Sequence, residues 1–192
     1  MRPNGVAAAV ANPQGTERQV PQTAVIEAAL RRPVVTAFVG LGANLGDAVQ
    51  AVQSALVDLA QVPGIRALRA SNLYRSAPVD ATGPDFINAV AEVRTTLSAP
   101  NLLAALQNLE LAAGRQRPYR NAPRTLDLDL LLYGQAQMDS PHLTLPHPRW
   151  LERAFVLCPL QELAPQLVRA DMLAAVADQA VERMQLKAPS AP

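Results

Sequence analysis

Two aspartates, Asp127 and Asp129, alternate with leucines between Leu126 and Leu130. This alternation predicts a β-strand, because successive side chains of an extended chain point to opposite faces. The two carboxylates would then share one face, about 6.5–7 Å apart along the strand. Neighbouring carboxylates repel each other, and a hard divalent cation such as Mg²⁺ relieves the repulsion and usually brings nucleotide phosphates with it. The spacing therefore indicates a magnesium site, with a solvated strand face as the alternative.

An arginine-rich segment from Gly114 to Thr125 precedes this strand. Gly and Pro interrupt it, so it is predicted to be a loop. Its guanidinium groups belong to Arg115, Arg117, Arg120 and Arg124. Guanidinium groups match phosphate oxygens two at a time and do not deprotonate, and a loop that carries four of them repels itself unless an anion or carboxylate lies nearby. Acidic strand and arginine loop together predict phosphoryl transfer.

The chain contains no G-x-x-x-x-G-K-[ST] motif, which excludes a P-loop enzyme. The Gly-rich segment from Gly40 to Gly46 follows a predicted strand but lacks the G-x-G-x-x-G spacing. We interpret it as a tight turn into a helix. Asp47 is expected near the helix start, where a carboxylate stabilises the exposed N–H groups.

Several blocks of the sequence, taken in order, resemble the 6-hydroxymethyl-7,8-dihydropterin pyrophosphokinase family of folate biosynthesis. The resemblance covers residues 35–165, and its most specific block is PRTLDLDL at 123–130. The other matching blocks are 38–47, 71–79, 85–90, 110–111, 114–117, 145–147 and 153–155. The resemblance implies an ATP- and Mg²⁺-dependent diphosphotransferase that moves pyrophosphate from ATP to the pterin hydroxymethyl group and releases AMP.

The resemblance also implies a role for each matching residue. The catalytic residues would be Arg115, Arg124, Asp127 and Asp129, of which the two aspartates would hold two Mg²⁺ ions. The nucleotide would be bound by Gln107, Glu110, Arg117, Arg124, Leu130, Thr144, His147 and Arg153. The pterin pocket would consist of Ser76, Val79, Phe86, Asn88 and Phe155, with the two phenylalanines on either side of the ring. The metal-bound pterin hydroxyl would attack the β-phosphorus without a strong protein base.

Two positions depart from the family pattern. Asn121 and Ala122 replace a Trp-Gly pair in a loop that is one residue shorter, and Tyr119 is the candidate for the missing aromatic surface. His142 replaces an arginine that commonly lies two residues before the threonine at position 144. Both departures concern how the loop closes over the substrates rather than which reaction occurs.

Residue types alone leave structural alternatives open at several of these positions. Phe86 and Phe155 lie in apolar runs that are typical of core packing. Gln107 and Glu110 share one face of a predicted helix, which could be solvated surface. The alternative for Arg153 is a surface arginine at the start of a strand, and the alternative for His147, between two prolines, is a structural histidine.

Composition limits the class of protein. A chain of 192 residues is expected to form one domain, and its net charge of +1 argues against a nucleic-acid coat protein. A single cysteine excludes an internal disulfide framework and fits a reducing cytosol. No apolar run has membrane-spanning length, and no signal peptide opens the chain. We expect a cytoplasmic monomer whose partners are ATP and the pterin, with no nucleic acid and no membrane.

The predicted elements define one catalytic domain at 34–186, with a flexible N-terminal tail at 1–33 and a C-terminal tail at 187–192. Strands are predicted at 34–41, 65–75, 86–97 and along the acidic segment, and helices at 47–62, 99–113 and 172–184. The β-α-β-β-α-β order predicts an α+β ferredoxin-like sandwich, an antiparallel sheet with helices on one face. The other face would be free for a ligand, and Asp127 and Asp129 are expected to point there.

Two further functions are compatible with parts of this pattern. A different Mg²⁺-dependent phosphotransferase or nuclease could use the same acidic strand, but it would not need a ring pocket at Phe86, Asn88 and Phe155. An RNA-binding ferredoxin-like module would need exposed aromatic residues on adjacent central strands and no aspartates facing phosphates, so the sequence fits it poorly. Binding of a flat ring discriminates the pyrophosphokinase from the other phosphotransferase or nuclease.

Overall fold

The computed structural model describes residues 32–78, 83–114 and 125–185. Its strands are β1 (Val35–Ala43), β2 (Ile65–Ala70), β3 (Tyr74–Ser76), β4 (Phe86–Thr95), β5 (Asp127–Tyr133), β6 (Met138–Asp139), β7 (Thr144–Leu145) and β8 (Val181–Arg183). Its α-helices are α1 (Ala48–Gln61), α2 (Ala99–Ala112), α3 (Ala154–Leu163) and α4 (Ala170–Ala174). Single 3₁₀ turns lie at Trp150–Glu152 and Pro165–Leu167.

The main sheet has six strands in the order β5-β1-β4-β3-β8, and β2 also pairs with β4. Every pairing is antiparallel. Helices α1 and α2 cover one face, where Leu59, Leu102 and Leu106 pack against Val39 and Leu41 in what we call the first core. This arrangement confirms the predicted α+β ferredoxin-like fold.

Helix α1 begins where the sequence indicated. The side chain of Asp47 accepts a hydrogen bond of 2.9 Å from the backbone N–H of Gln50, so its carboxylate caps the first turn. Helix α2 begins after Ser98 and has Pro100 in its first turn, where a missing N–H costs nothing. Both predicted helices are therefore confirmed to within one residue at each end.

The predicted strand at 65–75 is divided into β2 and β3 by Ser71. The Ser71 hydroxyl accepts from the backbone N–H of Val90 at 3.0 Å, and the Ser71 N–H donates to the Val90 carbonyl at 2.9 Å. A side-chain oxygen thus takes the place of a backbone carbonyl in the ladder. The chain leaves the regular strand for residues 71–73 and resumes pairing at Tyr74.

The apolar run from Ala154 to Leu157 is helical, so the strand start considered as an alternative for Arg153 does not occur. Helix α3 packs on the second face of the sheet, and its residues Val156, Leu157 and Leu160 join Phe38 and Val90 in the second core. Four consecutive apolar residues fit a buried helix as well as a buried strand, so periodicity alone did not separate the two. The second face is therefore covered in part, and only its remainder can receive a ligand.

The carboxylate of Glu162, near the end of α3, holds this helix against the sheet. It accepts hydrogen bonds from the Asn72 backbone N–H at 3.2 Å and from the Tyr74 hydroxyl at 3.1 Å. Burial, followed by this hydrogen bond to Glu162, raises the pKa of Tyr74 to about 12. The phenol therefore stays a neutral donor to the carboxylate.

The prediction of a late helix at 172–184 is wrong. The chain forms the short helix α4 and then strand β8, which pairs with β3 through Val181 and Ser76. Pairing with the open edge of β3 outweighs the helical pattern of this stretch, because a strand edge offers unpaired N–H and C=O groups. Within the described ranges, none of the helices combines the length and the apolarity that crossing a bilayer requires.

Candidate active site

The register of three adjacent strands brings the predicted pterin and metal residues onto one face. Gly42 of β1 pairs with Asn88 of β4 on one side and with Asp127 of β5 on the other. Residues directly opposite each other share a face, so Asn88 and Asp127 point the same way, with backbones about 10 Å apart across two strand spacings. Asp129 pairs with Gly40 and lies on the same face. Both aspartates thus point away from α1 and α2, as predicted.

A register shift in β5 separates the acidic part of the strand from its leucine-rich end. The shift lies opposite Phe38 and Val39, where two residues of β5, Leu131 and Leu132, occupy the space of one. Leu131 then packs into the second core, and Tyr133 returns to the opposite face, where its hydroxyl donates to the Leu97 carbonyl at 2.7 Å. The shift thus returns Tyr133 to the face of the first core, whereas Asp127 and Asp129 lie on the second face.

Asp129 lies beside two cationic or potentially cationic side chains. Its Oδ2 is 3.6 Å from Nη1 of Arg153 and 4.0 Å from Nε2 of His147. The side chain of Asp129 keeps 37% of its surface exposed, whereas Arg153 keeps 19%. Arg153 is the residue that precedes α3, so the alternative of a surface arginine at a strand start is wrong.

His147 is fixed by its backbone and by its ring. Its N–H donates to the Leu131 carbonyl at 2.8 Å, which attaches the loop to the edge of β5. Its Nδ1 accepts from the Arg149 N–H at 3.2 Å, so the neutral ring carries its proton on Nε2, the nitrogen nearest Asp129. Burial lowers the pKa of His147; the Asp129 carboxylate opposes this effect, and the Arg153 guanidinium adds to it.

A cavity of about 270 Å³ opens next to this group, between β5 and the loop that carries β7. Its lining includes Leu130, Thr144 and His147, three of the predicted nucleotide-binding residues, together with Asp129 and His142. The departure from the family pattern at position 142 thus lies in the same cavity as the residues that match it.

The main chain of Leu130 faces the open edge of the sheet toward this cavity. β5 is the edge strand, and the N–H of Leu128 points outward because it donates to a side chain of α2. N–H and C=O groups alternate along a strand with a period of two, so those of Leu130 point outward as well. This edge can offer a donor and an acceptor to a flat heterocycle.

The partner of the Leu128 N–H is Glu110. Its Oε1 accepts the bond at 2.7 Å, and the residue is 4% exposed. Gln107, one turn earlier on α2, is exposed. The alternative of a shared solvated face is therefore wrong for Glu110, whose carboxylate supports the acidic strand midway between Asp127 and Asp129.

The pterin-side residues lie together on β3 and β4. Nδ2 of Asn88 donates to the Ser76 hydroxyl at 3.0 Å, and both residues are buried. Phe86 lies two residues before Asn88 on the same face. A Cβ atom on Gly42 would lie 3.3 Å from Oδ1 of Asn88 and 3.9 Å from Cδ1 of Phe86, so the missing side chain keeps this space open.

Phe155 approaches the same sheet face from α3. It is partly buried against the second core, and the Arg153 guanidinium lies 5.4 Å from the centre of its ring. One residue of the predicted pterin pocket is therefore connected directly to the group around Asp129. The predicted residues Val79, Arg115, Arg117 and Arg124, and the loop positions Tyr119 and Asn121, lie outside the described residues.

The two carboxylates fit a magnesium ion that takes its other ligands from phosphates and water. No group of three or more His, Cys, Asp or Glu side chains suited to a metal occurs within the described ranges. Mg²⁺ does not need one, because it keeps several waters and commonly binds through one or two carboxylates plus substrate phosphates. Asp127 and Asp129, partly exposed on one face, supply such a pair.

Sequence reasoning missed two residues of this region. The role of Gly42 becomes visible only when the strands are in register, although its position in a Gly-rich segment was a signal. The second, Gln179, hydrogen-bonds to the backbone on both sides of Arg153. Gln179 lies more than twenty residues from Arg153 in the sequence, and no sequence pattern links the two.

The chain is similar in sequence to one protein family and to several known proteins. The model of the family 7,8-dihydro-6-hydroxymethylpterin-pyrophosphokinase (HPPK) matches residues 38–165. A 2-amino-4-hydroxy-6-hydroxymethyldihydropteridine pyrophosphokinase of Synechocystis sp. is 46% identical over 132 residues, which are 69% of this chain and 68% of the relative. The protein of the same name from Pseudomonas aeruginosa is 43% identical over 154 residues, 77% of this chain and 95% of the relative.

Solved structures with a similar fold include a triple mutant of Plasmodium falciparum HPPK-DHPS. The TM-score is 0.58 at 11% sequence identity, with 76% of this chain covered. The chain spans 43% of the length of that solved chain. At this level of identity the likeness concerns the fold alone.

Proposed function

The chain belongs to the 7,8-dihydro-6-hydroxymethylpterin-pyrophosphokinase family and is a pyrophosphokinase of folate biosynthesis, and from this premise we propose how its residues carry the reaction. The reaction transfers the terminal pyrophosphoryl group of ATP to the hydroxymethyl oxygen of 6-hydroxymethyl-7,8-dihydropterin. A bond forms between that oxygen and the β-phosphorus, the bond from the β-phosphorus to the α-phosphate oxygen breaks, and AMP leaves. The hydroxyl proton is released.

One observation supports this assignment of roles above the others. Asn88, Gly42 and Asp127 lie side by side across three strands, so a ring site and an acidic site occupy one continuous sheet face. Asn88 would bind the donor and acceptor edge of the pterin, positioned by its bond to Ser76. Phe86 and Phe155 would stack on the ring, each such contact adding about 0.5–1.5 kcal/mol beyond the buried area.

The phosphates would lie over β5. Asp127 and Asp129 would hold two Mg²⁺ ions, which when bound neutralise the phosphate charge and acidify the pterin hydroxyl. Arg153 lies at the edge of this group, where its cation would contact phosphate oxygens as charge spreads over them. Arg115, Arg117 and Arg124 would extend along the triphosphate, with Arg115 and Arg124 assisting catalysis.

The nucleotide would occupy the cavity of about 270 Å³ beside β5. The outward main chain of Leu130 would hydrogen-bond the adenine edge. Thr144 and His147 would bind the ribose or phosphates from the opposite wall, with Gln107 and Glu110 on the α2 side. We further propose that the enzyme is cytoplasmic and that its catalytic domain is residues 34–186. We also propose that it is a monomer, which light scattering at working concentration would test.

The decisive experiment incubates the purified chain with ATP, Mg²⁺ and 6-hydroxymethyl-7,8-dihydropterin and separates the products. We expect AMP and pterin diphosphate in equal amounts. Formation of ADP would instead indicate a simple phosphotransferase, and no turnover would contradict the assignment. Asp127→Ala and Asp129→Ala should each nearly abolish AMP formation while leaving the circular dichroism spectrum unchanged, with exposed Asp58→Ala as the matched control.

A further inference from the structure

We propose that Gln179 is a positioning residue that fixes Arg153 against Asp129. Its side-chain amide forms two hydrogen bonds, which together we call the Gln179 bridge. Oε1 accepts from the N–H of Ala154 at 2.9 Å, and Nε2 donates to the carbonyl of Glu152 at 2.8 Å. The inference rests on the proposed role of Arg153 at the phosphates.

The Gln179 bridge acts on the backbone at both sides of Arg153. Glu152 supplies the carbonyl before it and Ala154 the N–H after it, so the amide pairs with Arg153 much as a neighbouring strand would. Arg153 has φ −127° and ψ 111°, an extended conformation between a 3₁₀ turn and α3. Only one orientation of the Gln179 amide makes both bonds, because the reverse would oppose oxygen to oxygen and donor to donor.

The Gln179 bridge also supplies a hydrogen-bond acceptor that the start of α3 lacks. The first N–H groups of a helix have no partner within the helix, and Arg153, which precedes α3, makes no side-chain cap. Gln179 provides that acceptor from a distant part of the chain. The conformation that directs the guanidinium of Arg153 to within 3.6 Å of Asp129 is therefore held from outside the loop.

Gln179 is itself held between two anchors. Val176 is 3% exposed in the second core, and the Gln179 N–H donates to its carbonyl at 3.1 Å. Two residues after Gln179, Val181 begins β8 and pairs with Ser76, the residue that positions Asn88. The segment that carries Gln179 lies beyond residue 165, where the family match ends. This segment connects Ser76, which lies beside the proposed pterin site, to Arg153, which lies beside the proposed phosphate site.

Gln179→Met tests the proposal, because methionine keeps the length and removes both hydrogen bonds. We expect kcat/KM for ATP to fall about tenfold, because an Arg153 that is no longer fixed would be misplaced relative to the phosphates. Exposed Gln166→Met, the same change outside the bridge, should stay within about twofold of the parent. A Gln179→Met variant that also stays within that range would overturn the proposal.

A double-variant cycle separates positioning from general stability. If Gln179 acts through Arg153, adding Gln179→Met to Arg153→Gln should cause no further loss of kcat/KM for ATP. An equal loss in both backgrounds would show that Gln179 acts elsewhere, and the proposal would be wrong. All variants are compared well below their unfolding temperatures.

A readout without turnover keeps this test distinct from that of the proposed function. Hydrogen exchange at the Ala154 amide should be faster in Gln179→Met than in Gln166→Met, and the emission of Trp150, the single tryptophan, should change in the first variant alone. If the parent forms no AMP, the proposed function fails, and these two signals decide whether the bridge holds Arg153. Equal exchange in both variants would overturn the inference.

Discussion

At the residue scale, the site depends on one side chain that is missing and on a few that are held in place. Gly42 separates the ring-side Asn88 from the acidic Asp127, and no other residue type leaves that space empty. The carboxylate of Asp129 is constrained as well, because His147 and Arg153 lie beside it. Neighbouring residues, whose positions cannot be read from the sequence, thus modify the chemistry that the residue types predict.

Gly42→Ala should raise KM for the pterin by about tenfold and leave KM for ATP within about twofold. The added Cβ would lie 3.3 Å from Oδ1 of Asn88, so the amide must shift away from the ring site. Gly40→Ala is the matched comparison, because its Cβ would meet Leu131 at an ordinary contact distance of 3.5 Å. Equal effects of the two changes on KM for the pterin would contradict the steric account.

Asp129→Asn should lower the pKa of His147 further below its usual value. The carboxylate stabilises the imidazolium, so removing its charge leaves burial and the Arg153 guanidinium opposed only by the weaker effect of the Asp127 carboxylate. NMR titration of the metal-free chain measures this directly, since His142 is the only other histidine. A rise in the pKa of His147 would show that another group controls it.

The same shift predicts how stability depends on pH. The folded pKa of His147 lies below 6.5, so the unfolded state binds the proton at higher pH than the folded state does. The contribution of His147 to the free energy of unfolding is therefore constant above pH 6.5 and falls as the pH drops from there toward the folded pKa. Urea titrations of the parent and of His147→Gln should diverge over that range.

At the element scale, β5 is an edge strand whose outer side is covered by separate pieces of chain. Glu110 of α2 binds the N–H of Leu128, and the loop residue His147 binds the carbonyl of Leu131. Between them the main chain of Leu130 lines the cavity. Covering the edge on both sides of Leu130 blocks strand addition there and leaves the backbone groups of Leu130 open to the cavity.

Glu110→Ala should lower the free energy of unfolding by about 1–3 kcal/mol, because the Leu128 N–H loses its buried acceptor. Glu110→Gln keeps a carbonyl oxygen at the same reach and should cost clearly less. Chemical denaturation of both variants measures the difference. If the alanine and glutamine variants are equally stable, the bond to Leu128 does not support the strand.

At the scale of the whole molecule, the sheet is packed on both faces but only one face is fully covered. The first core fills one side, whereas α3 and the segment through β8 cover part of the other and leave Gly42, Asp127 and Asp129 partly exposed. Every described element begins after residue 34, and the family match begins at residue 38. The described elements and the family match thus lie in the later part of the chain.

Deleting residues 1–31 should leave kcat/KM within about twofold of the full chain, because the family match begins at residue 38 and every described element begins after residue 34. Ending the chain at residue 169 is the opposite case. It removes Val176 and Val181 from the second core and the pairing of β8 with β3, so we expect loss of cooperative unfolding or of activity. Loss of activity from the first deletion would assign residues 1–31 to the site.

The sequence alone was sufficient for the fold class, the first two helices and the face of Asp127 and Asp129, because these follow from local periodicity and from an ordered set of motifs. It was insufficient for α3 and β8, since a short apolar run fits a helix or a strand until its packing partners are known. The role of Gly42 depended on strand register, and the Gln179 bridge joins residues far apart in the chain. Such contacts are set by the tertiary structure, because only folding decides which distant backbone groups lie within hydrogen-bonding distance of each other.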